Sequence, residues 1–454
     1  MDQADFAVIG SGPGGYQAAI RAAQRGASVL LFEEKHLGGV CLNRGCIPTK
    51  GMLMSVEVYR LSRRAAEFGI RVPSAEFDLG EIVGRREQVV SKIQQGLEFL
   101  MKRNRIRVVQ ARARLAGGRT VEAGGEKFKA RSIVLAAGSR PAELPSLKAD
   151  GKTVLNSDHS LELRALPRSL IVVGGGYIGC EFASMFSQLG AQVTVVEVGD
   201  RLLPLMDADL GKLLERSFKK QRIEVLTGAK VQAAEIRLDG GSLTLHDGRT
   251  IMAEKILVSV GRVPNLSDLG LEREGVRSDR FIEVSDFMET SSPGIYAIGD
   301  LVGRSPLAHV ASAQARVAID HAFGEKTPMD YRVIPSAVFT HPELASVGAA
   351  DESQAGSRAV KFPVSAIGKS VAQGEIEGFV KLVGDEKTGE LLGAHLAGWH
   401  SAEWVGTFAV AMQARMKIQD LARVIFPHPT FSEAIGEAAE LWSGHAVHVA
   451  PKGS

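Results

Sequence analysis

The chain has 454 residues, 45% of them hydrophobic and 23% charged, and its formal net charge is +2. This length exceeds what one hydrophobic core supports, so two to four domains are expected. The small net charge gives no reason to expect nucleic acid or an anionic membrane as a partner. No apolar run reaches the ~20 residues of a membrane span, and the first residues lack the basic and apolar segments of a targeting signal. Three cysteines are too few for a disulfide-stapled exported protein, so the cytoplasm is the expected compartment.

Residues 6–33 predict a strand, a glycine turn, a helix and a second strand. The turn holds Gly10, Gly12 and Gly15, and Glu33 ends the second strand. Gly10 permits a tight turn, Gly12 lets the backbone approach a pyrophosphate, and Gly15 lets the helix meet the strand. Glu33 can accept a hydrogen bond from a ribose hydroxyl. The segment therefore predicts a dinucleotide-binding unit.

Two of the three cysteines, Cys41 and Cys46, stand five residues apart and precede Lys50. In a regular α-helix this spacing places their Cα atoms beyond the ~7 Å limit for a disulfide. Gly45 and Pro48 disturb a helix, so a distorted turn can bring the two sulfurs together. A structural staple would contribute roughly 2 kcal/mol for so short a loop, and a zinc site would need further Cys or His pairs at short spacing. A redox-active pair is therefore the preferred interpretation.

The next elements are predicted from periodicity. Apolar residues recur at helical spacing over residues 51–64 and 79–103, and the charges of residues 81–107 indicate a solvated helix face. Residues 132–137 predict a buried strand that ends at Gly138. The helices are therefore expected to form an excursion from the first sheet.

From residue 169 the opening pattern returns. An offset of 164 superposes the three glycines and the acid of the first copy on Gly174, Gly176, Gly179 and Glu197 without a gap. Two such units predict two bound dinucleotides, and an inactive second copy is disfavoured because both copies keep all four residues. Glu197 would bond a free 2′-hydroxyl and repel a 2′-phosphate, which favours NAD over NADP, although Arg201 lies nearby.

The cysteine segment, with its preceding glycine pair, follows the pattern Cys-x-x-x-x-Cys-x-Pro-x-Lys. It resembles the redox segment of the flavin-dependent disulfide oxidoreductases, and most closely that of the members that oxidise dihydrolipoyl groups. The resemblance covers nearly the whole chain and includes residues 294–303 and the sequence His428-Pro429-Thr430. It implies an α/β fold of two Rossmann-like dinucleotide-binding domains and a C-terminal α+β dimerisation domain, as in glutathione reductase. The implied boundaries are residues 1–145 and 280–330 for the FAD-binding domain, 146–279 for the NAD-binding domain, and 331–454 for the dimerisation domain.

The resemblance also implies roles for individual residues. Cys41 is the sulfur that a substrate thiol attacks, and Cys46 is left as the thiolate beside the flavin. His428 is the base that deprotonates the substrate dithiol, and Glu433 orients its ring. Lys50 lies near the flavin ring, and its implied ion-pair partner is Glu181. The implied cofactor contacts are Gly10, Gly12, Gly15, Glu33, Lys50, Gly138, Asp300 and His309 for FAD, and Gly174, Gly176, Gly179, Glu197 and Gly261 for NAD; no metal site is expected.

The C-terminal motif also has a structural interpretation. Residues 430–433 match a capping box, which predicts Thr430 as the N-cap of a helix and Glu433 as its reciprocal partner. Two prolines flank His428 and restrict its backbone. Members of the family that act on lipoyl groups commonly have a second histidine where this chain has Phe426, so that auxiliary histidine has no counterpart at this position.

The prediction is therefore a cytoplasmic homodimer that oxidises lipoyl domains of 2-oxo acid dehydrogenase complexes or of the glycine cleavage system. His428 is expected to serve the site of the partner subunit. An NADPH-dependent glutathione-type reductase is opposed by Glu197, and a mercuric reductase by the absence of a C-terminal cysteine pair. A non-catalytic nucleotide-binding redox sensor would have lost one of the cysteine, lysine or histidine elements, all of which are present.

Overall fold

The computed structural model describes residues 2–237, 239–350 and 356–450. Its strands are β1 (Asp2–Ile9), β2 (Val29–Glu33), β3 (Arg107–Gln110), β4 (Ala113–Leu115), β5 (Thr120–Ala123), β6 (Glu126–Leu135), β7 (Ser139–Pro141), β8 (Val154–Leu155), β9 (Ser169–Val173), β10 (Gln192–Val196), β11 (Glu224–Leu226), β12 (Val231–Arg237), β13 (Gly240–Leu245), β14 (Thr250–Ala253), β15 (Lys255–Val258), β16 (Arg262–Pro264), β17 (Ile295–Ala297), β18 (Ser336–Val338), β19 (Glu343–Gly348), β20 (Ser357–Pro363), β21 (Phe379–Asp385) and β22 (Leu391–Gly398). Its α-helices are α1 (Pro13–Gln24), α2 (Gly39–Arg44), α3 (Cys46–Arg63), α4 (Leu79–Arg103), α5 (Ser157–Ser160), α6 (Tyr177–Leu189), α7 (Ala208–Lys220), α8 (Ala308–Ala322), α9 (Gly368–Gln373), α10 (Ser401–Gln413), α11 (Ile418–Leu421) and α12 (Glu433–Trp442).

The first of two units contains the residues up to Ala142, Asn156–Ala165 and Gly261–Asp330. Its main sheet has the order β3-β2-β1-β6, all parallel, and β17 pairs in parallel with the end of β6. The start of β6 continues into the antiparallel strands β5 and β4. Parallel strands bury both faces, and β1 accordingly contains the fully buried run Phe6-Ala7-Val8.

The predicted helical excursion is confirmed. α4 spans the predicted residues 79–103, and α3 contains nearly all of the predicted segment 51–64. The start of α4 is capped by Asp78, whose carboxylate accepts the N–H of Glu81 at 3.0 Å. α3 begins earlier than predicted, at Cys46, because Gly45 ends α2 and the next helix follows immediately.

The second unit contains Glu143–Leu155, Leu166–Val260 and the residues from Tyr331 onward. Its first sheet is parallel, with the order β11-β10-β9-β15-β8, and the antiparallel strands β12, β13 and β14 form a second sheet. The third sheet is antiparallel, with the order β18-β19-β22-β21-β20. Phe408 of α10 and Ile435 of α12 are fully buried in the core of this sheet. A nearly buried ion pair joins β21 to the start of α7, with Lys381 Nζ 2.8 Å from Asp207 Oδ2.

The predicted fold class is confirmed: two parallel sheets flanked by helices precede a mixed α+β segment. The three-domain division stays a prediction. Residues 261–279, which that division gives to the NAD-binding domain, lie in the first unit, where β16 pairs with β7. None of the helices in the described ranges is long and apolar enough to cross a membrane.

Candidate active site

The first glycine turn joins β1 to α1, and its three predicted glycines meet three different surroundings. Gly10 has φ of +96°, and a Cβ there would stand 2.4 Å from the carbonyl oxygen of Ala136. A Cβ on Gly15 would stand 1.9 Å from the carbonyl oxygen of Gly10, so the helix can pack here only on glycine. A Cβ on Gly12, by contrast, would have no atom within 4 Å. Gly12 therefore faces open space at a helix start that no side chain caps, where backbone N–H groups favour an anion.

The carboxylate of Glu33 bridges this turn and the loop after β2. One oxygen accepts hydrogen bonds from the N–H and the hydroxyl of Ser11, at 3.1 and 2.5 Å. The other accepts the N–H of Lys35 at 2.8 Å. Sequence reasoning predicted the acid but missed Ser11, because the nucleotide fingerprint leaves that position unspecified. The oxygen that accepts the N–H of Lys35 can accept a further hydrogen bond, so these contacts are compatible with the predicted ribose contact.

The second glycine turn, between β9 and α6, repeats this geometry. Gly174 has φ of +111°, and a Cβ there would stand 2.4 Å from the oxygen of Ser259, whereas a Cβ on Gly179 would stand 2.0 Å from that of Gly174. A Cβ on Gly176 would again have no atom within 4 Å, and no side chain caps α6. The second turn therefore has the same open position at an uncapped helix start.

The acid of the second turn repeats the hydrogen bonds of the first. Glu197 accepts the N–H of Gly175 at 2.5 Å and that of Gly199 at 2.6 Å. These donors are Ser11 and Lys35 shifted by the same offset of 164, so the duplication extends to individual hydrogen bonds. Cys180, inside this helix start, is fully buried, and its Sγ lies 3.3 Å from the carbonyl oxygen of Gly175.

The basic residue near Glu197 is held in its own loop. Nη2 of Arg201 donates to the carbonyl oxygen of Pro204 at 3.3 Å. This contact directs part of the guanidinium group to the backbone of the loop that follows Glu197. Glu197, by contrast, accepts a hydrogen bond directly from the glycine turn.

Two of the remaining predicted FAD residues, Gly138 and Asp300, lie near the end of β6 in the first unit. Gly138 has φ of +66° and an open Cβ direction. Asp300 accepts a short hydrogen bond from the hydroxyl of Ser139, and the guanidinium of Arg262 donates to the same hydroxyl at 2.7 Å. Arg262 was not predicted, since an arginine in a turn carries no motif of its own. His309 is exposed near the start of α8, which no side chain caps.

Gly261, predicted as an NAD contact, opens the last segment of the first unit. It has φ of +110° and no atom within 4 Å of a Cβ position, and its carbonyl oxygen accepts the N–H of Ala142 at 2.9 Å. The other predicted NAD residues lie in the second unit. The role of Gly261 as an NAD contact therefore stays a prediction.

The cysteine segment forms two helices separated by a break. α2 ends at Gly45, whose φ of −136° and ψ of −113° interrupt the helix, and Cys46 is the first residue of α3. The predicted distortion of the backbone between the two cysteines is thus confirmed. Gly39 at the start of α2 abuts the first glycine turn, because a Cβ there would stand 2.7 Å from the Cα of Gly12. The start of α2, two residues before Cys41, therefore packs against the first glycine turn.

Cys41 and Cys46 are thiols in this structure, and they contact each other. The hydrogen bond with Cys46, and then burial, raise the pKa of the Cys41 thiol, whereas the charge of Lys50 acts in the opposite direction. Cys46 is more exposed and lies at the N-terminus of an 18-residue helix, a position that favours a thiolate. The two sulfurs therefore differ in electrostatic environment.

Asn43, between the cysteines, was not predicted. Its side-chain amide donates to the carbonyl oxygens of Leu37 and Gly39 at 2.9 and 2.7 Å, and its oxygen accepts from Gln94 of α4 at 2.5 Å. These bonds tie α2 to the preceding loop and to α4, which holds Cys41 in place. The sequence feature that could have indicated this role is an asparagine between the two cysteines, within a helix of only six residues.

Lys50 and Glu181, the predicted ion pair, belong to different units. Lys50 lies one turn after Cys46 on α3. Glu181 is buried on α6, and its carboxylate accepts the N–H of Phe339 at 3.0 Å. The ion pair between them stays a prediction.

His428 and Glu433 are brought together as predicted. Nδ1 of His428 lies 2.8 Å from Oε1 of Glu433, and 78% of the histidine side chain is exposed. The second carboxylate oxygen accepts the N–H of Thr430 at 2.9 Å. Burial raises the pKa of the Glu433 carboxyl, but the hydrogen bonds from His428 and Thr430 outweigh it and leave that pKa below its usual value. A carboxylate that stays ionised can fix the tautomer and the aim of the ring.

One half of the predicted capping box, the N-cap role of Thr430, is wrong. Helix α12 begins at Glu433 rather than at residue 431, and the hydroxyl of Thr430 donates to the carbonyl oxygen of Pro427 at 2.7 Å. Thr430 is therefore not the N-cap, because residues 427–432 form a turn before the helix. The bond from Thr430 N–H to Glu433, the other half of the motif, is present.

Comparisons with known proteins identify the family of the chain. Residues 4–315 match the family model described as pyridine nucleotide-disulphide oxidoreductase, and residues 334–439 match the dimerisation domain of the same family. A dihydrolipoyl dehydrogenase of Bacillus subtilis is 40% identical over 468 residues, covering 98% of this chain and 99% of the relative. One from Chlorobaculum parvum is 41% identical over 452 residues, covering 96% of each chain.

Solved structures share the fold over the same length. The crystal structure of LpdA from Mycobacterium tuberculosis has a TM-score of 0.91 at 30% identity and covers 97% of this chain and 100% of its own. The flavoprotein disulfide reductase RclA of Escherichia coli, in its Cu(II) complex, has a TM-score of 0.87 at 26% identity, covering 97% of this chain and 100% of its own. With both family models matched and relatives aligned along nearly the whole chain, this protein belongs to the pyridine nucleotide-disulphide oxidoreductases.

Proposed function

We propose that this protein catalyses the dihydrolipoyl dehydrogenase reaction, in which a dihydrolipoyl dithiol is oxidised and NAD is reduced to NADH. The observation that carries the proposal is the contact between Cys41 and Cys46, placed at a helix break beside the first glycine turn. The full-length relatives named as dihydrolipoyl dehydrogenases support the lipoyl substrate over a glutathione-type disulfide.

In the oxidised enzyme the two cysteines form a disulfide, and His428 takes the proton of one substrate thiol. The resulting thiolate attacks Sγ of Cys41, the Cys41–Cys46 bond breaks, and Cys46 leaves as a thiolate. The helix N-terminus stabilises that charge. The second substrate thiol then attacks the mixed disulfide, so that the oxidised lipoyl ring departs and Cys41 takes a proton. Two electrons have then passed from the substrate to the cysteine pair, and one of the two substrate protons remains on His428.

The residues of both glycine turns fit dinucleotides. Each turn offers an uncapped helix start, one glycine with open space and a carboxylate at the end of the next strand. Bound FAD supplies the two-electron chemistry that returns the cysteine pair to its disulfide and passes the electrons to NAD. Around the first turn, Asp300 and Glu33 are the acids that would bind hydroxyl groups of FAD, and Lys50 would lie near its ring. The second turn, with Glu197, would hold NAD.

The proposed partners are protein-bound lipoyl groups, carried by lipoyl domains of 2-oxo acid dehydrogenase complexes or of the glycine cleavage system. The high exposure of His428 suits a thiol that arrives from outside the chain. The dimerisation domain supports a homodimer. A cysteine pair that cycles between thiol and disulfide suits a reducing compartment, and the cytoplasm is therefore proposed.

The test is an assay of NADH formation from dihydrolipoamide by the flavin-loaded protein. We expect turnover with NAD, and loss of turnover in Cys41→Ser and in His428→Gln. Cys180→Ser is the matched control, since that cysteine is fully buried in the second unit and is not part of the proposed redox pair, so turnover should remain. Reduction of glutathione disulfide with NADPH in the absence of any lipoyl activity would overturn the proposal.

A further inference from the structure

The loop of residues 198–207, between Glu197 and α7, packs against the second glycine turn. The N–H of Leu203 donates to the carbonyl oxygen of Gly175 at 2.9 Å, and a Cβ on Gly175 would stand 2.7 Å from the side chain of Leu202. Both leucines are buried. The N–H of Gly175 is in turn bound by Glu197. The geometry of the turn therefore depends on where this loop lies.

Helix α7 follows the loop directly, and Asp207 is its N-cap. Oδ1 of Asp207 accepts the N–H of Asp209 at 2.9 Å, which fixes the start of the helix. The loop also contacts the helix further along. The N–H of Leu202 donates to Glu215 at 3.1 Å, and a Cβ on Gly211 would stand 2.6 Å from the carbonyl oxygen of Leu202. The loop and the first turns of α7 therefore form one packed piece.

The C-terminal segment, which forms the third sheet, binds α7 at both ends. At the start of the helix, Nζ of Lys381 on β21 lies 2.8 Å from Oδ2 of Asp207 and 3.3 Å from Oδ2 of Asp209. At its end, the side-chain amide of Gln221 donates to the carbonyl oxygen of His341 at 2.7 Å. These contacts hold α7, and with it the loop, against the C-terminal segment.

The pair formed by Lys381 and Asp207 is withdrawn from solvent, since the exposed fractions of the two side chains are 5% and 1%. Lys381 also stands directly opposite Lys361 of β20, so the two ammonium groups share one face of the sheet. Like charges at opposed positions destabilise a sheet, and in a buried ion pair the cost of desolvation offsets the attraction. The pair does supply a directed contact between β21 and the N-cap of α7.

We propose that Lys381 is a positioning residue for the nicotinamide dinucleotide and acts through Asp207 and the loop of residues 198–207. The inference rests on the proposed function of the second turn as the NAD site, and it adds a residue of the C-terminal segment to that site. The ammonium group holds the N-cap, and the loop before the N-cap holds the carbonyl group of Gly175. Loss of the first contact should therefore loosen the NAD turn. The FAD turn, which belongs to the first unit, should be unaffected.

The experiment compares Lys381→Met with the double variant Lys381→Met/Asp207→Asn in the full-length, flavin-loaded protein. Lys381→Met leaves the buried carboxylate of Asp207 without its ammonium partner, so it should lower the Tm. The double variant removes both charges of the pair and keeps a side-chain oxygen for the N–H of Asp209, so the Tm should recover. The Kd for NAD, measured by calorimetry on the oxidised protein, should rise about five- to ten-fold in both variants, as expected when one hydrogen bond to the turn is weakened.

Lys361→Met is the matched control, because this lysine lies 3.2 Å from Asp209 and 49% of its side chain is exposed. It should leave both the Tm and the Kd for NAD near their wild-type values. In turnover by the two Lys381 variants, the KM for NAD should rise, whereas kcat at saturating NAD and the flavin content should stay at the wild-type level.

A Kd for NAD that recovers together with the Tm in the double variant, or that is unchanged in both variants, would overturn the inference and leave Lys381 with a stabilising role only. A wild-type protein that binds no NAD would overturn the inference and the proposed function together. The expected rise in Kd, in a protein that fails to oxidise dihydrolipoamide, would instead uphold the positioning role and count against the proposed function.

Discussion

At the scale of single residues, position in a helix distinguishes the two cysteines. Cys46 is the first residue of α3, where the helix macrodipole favours an anion. Cys41 lies within α2, and its contact with Cys46 raises the pKa of its thiol. In the reduced enzyme, a shared negative charge therefore belongs on Cys46. The family resemblance already implied unequal roles for the two cysteines, and the structure adds the helix break at Gly45 as a physical cause.

The first prediction concerns this asymmetry. In reduced, flavin-free protein at pH 7, Cys46 should react with iodoacetamide about ten-fold faster than Cys41, because the thiolate is the nucleophile and no flavin covers Cys46. Peptide mapping after limited alkylation measures the ratio directly. With FAD bound, Cys41→Ser should show a long-wavelength thiolate-to-flavin band and Cys46→Ser should not. A band in Cys46→Ser and none in Cys41→Ser would show that the roles are reversed.

The second prediction concerns the choice of nucleotide. Glu197→Ala should reduce the ratio of kcat/KM for NAD to that for NADP about ten-fold or more, because the repulsion of a 2′-phosphate is lost. Glu197 also accepts two backbone N–H groups, so some loss of NAD binding is expected in addition. Arg201→Gln is the matched control and should leave the preference for NAD in place. Equal wild-type values for the two nucleotides would refute the role of Glu197.

At the scale of elements, the two strand–turn–helix units were predictable because their requirements are local. Glycine spacing alone decides where the backbone can turn and where a helix can touch a strand, and both copies meet it. The start of α12 was not predictable from the capping motif, since the turn at Thr430 depends on its bond to Pro427. The assignment of Asn156–Ala165 to the first unit also depends on tertiary contacts. One of these is the donation from buried Arg86 of α4 to the carbonyl oxygen of Leu161.

The third prediction separates folding from binding within each turn. Gly12→Ala should fold normally, because its φ of −61° suits alanine and the Cβ meets no atom, but the methyl group should weaken FAD retention. Gly15→Ala should instead lower the stability by about 2 kcal/mol or more through overpacking against Gly10. Thermal unfolding and the flavin content of purified protein measure the two effects.

The second copy provides the control for this prediction. Gly176→Ala should weaken NAD binding while leaving the flavin content unchanged, and Gly179→Ala should destabilise the protein as Gly15→Ala does. Loss of flavin in Gly176→Ala, with full retention in Gly12→Ala, would show that the assignment of the two nucleotides is reversed.

At the scale of the whole molecule, the proposed catalytic groups are divided between the two units. The cysteines belong to the first unit, whereas His428 and Glu433 belong to the second and fall inside the segment matched by the family's dimerisation domain. A thiol base within a dimerisation segment is in a position to serve another copy of the chain. We therefore expect a two-fold dimer with two sites, each using Cys41 of one chain and His428 of the other.

The fourth prediction tests this arrangement by subunit mixing. Cys41→Ser and His428→Gln proteins, each inactive alone, are mixed, dissociated and reassembled. If the site is shared, one site of a mixed dimer carries both substitutions and the other carries neither. Random reassortment should therefore restore about a quarter of the wild-type activity, because about half the dimers are mixed and each has one intact site. Mixing without dissociation is the control and should restore none. If His428 served its own chain, every site in every dimer would be defective. Reassembled protein would then have no more activity than its parents, and this result would show that Cys41 and His428 of each site come from one subunit.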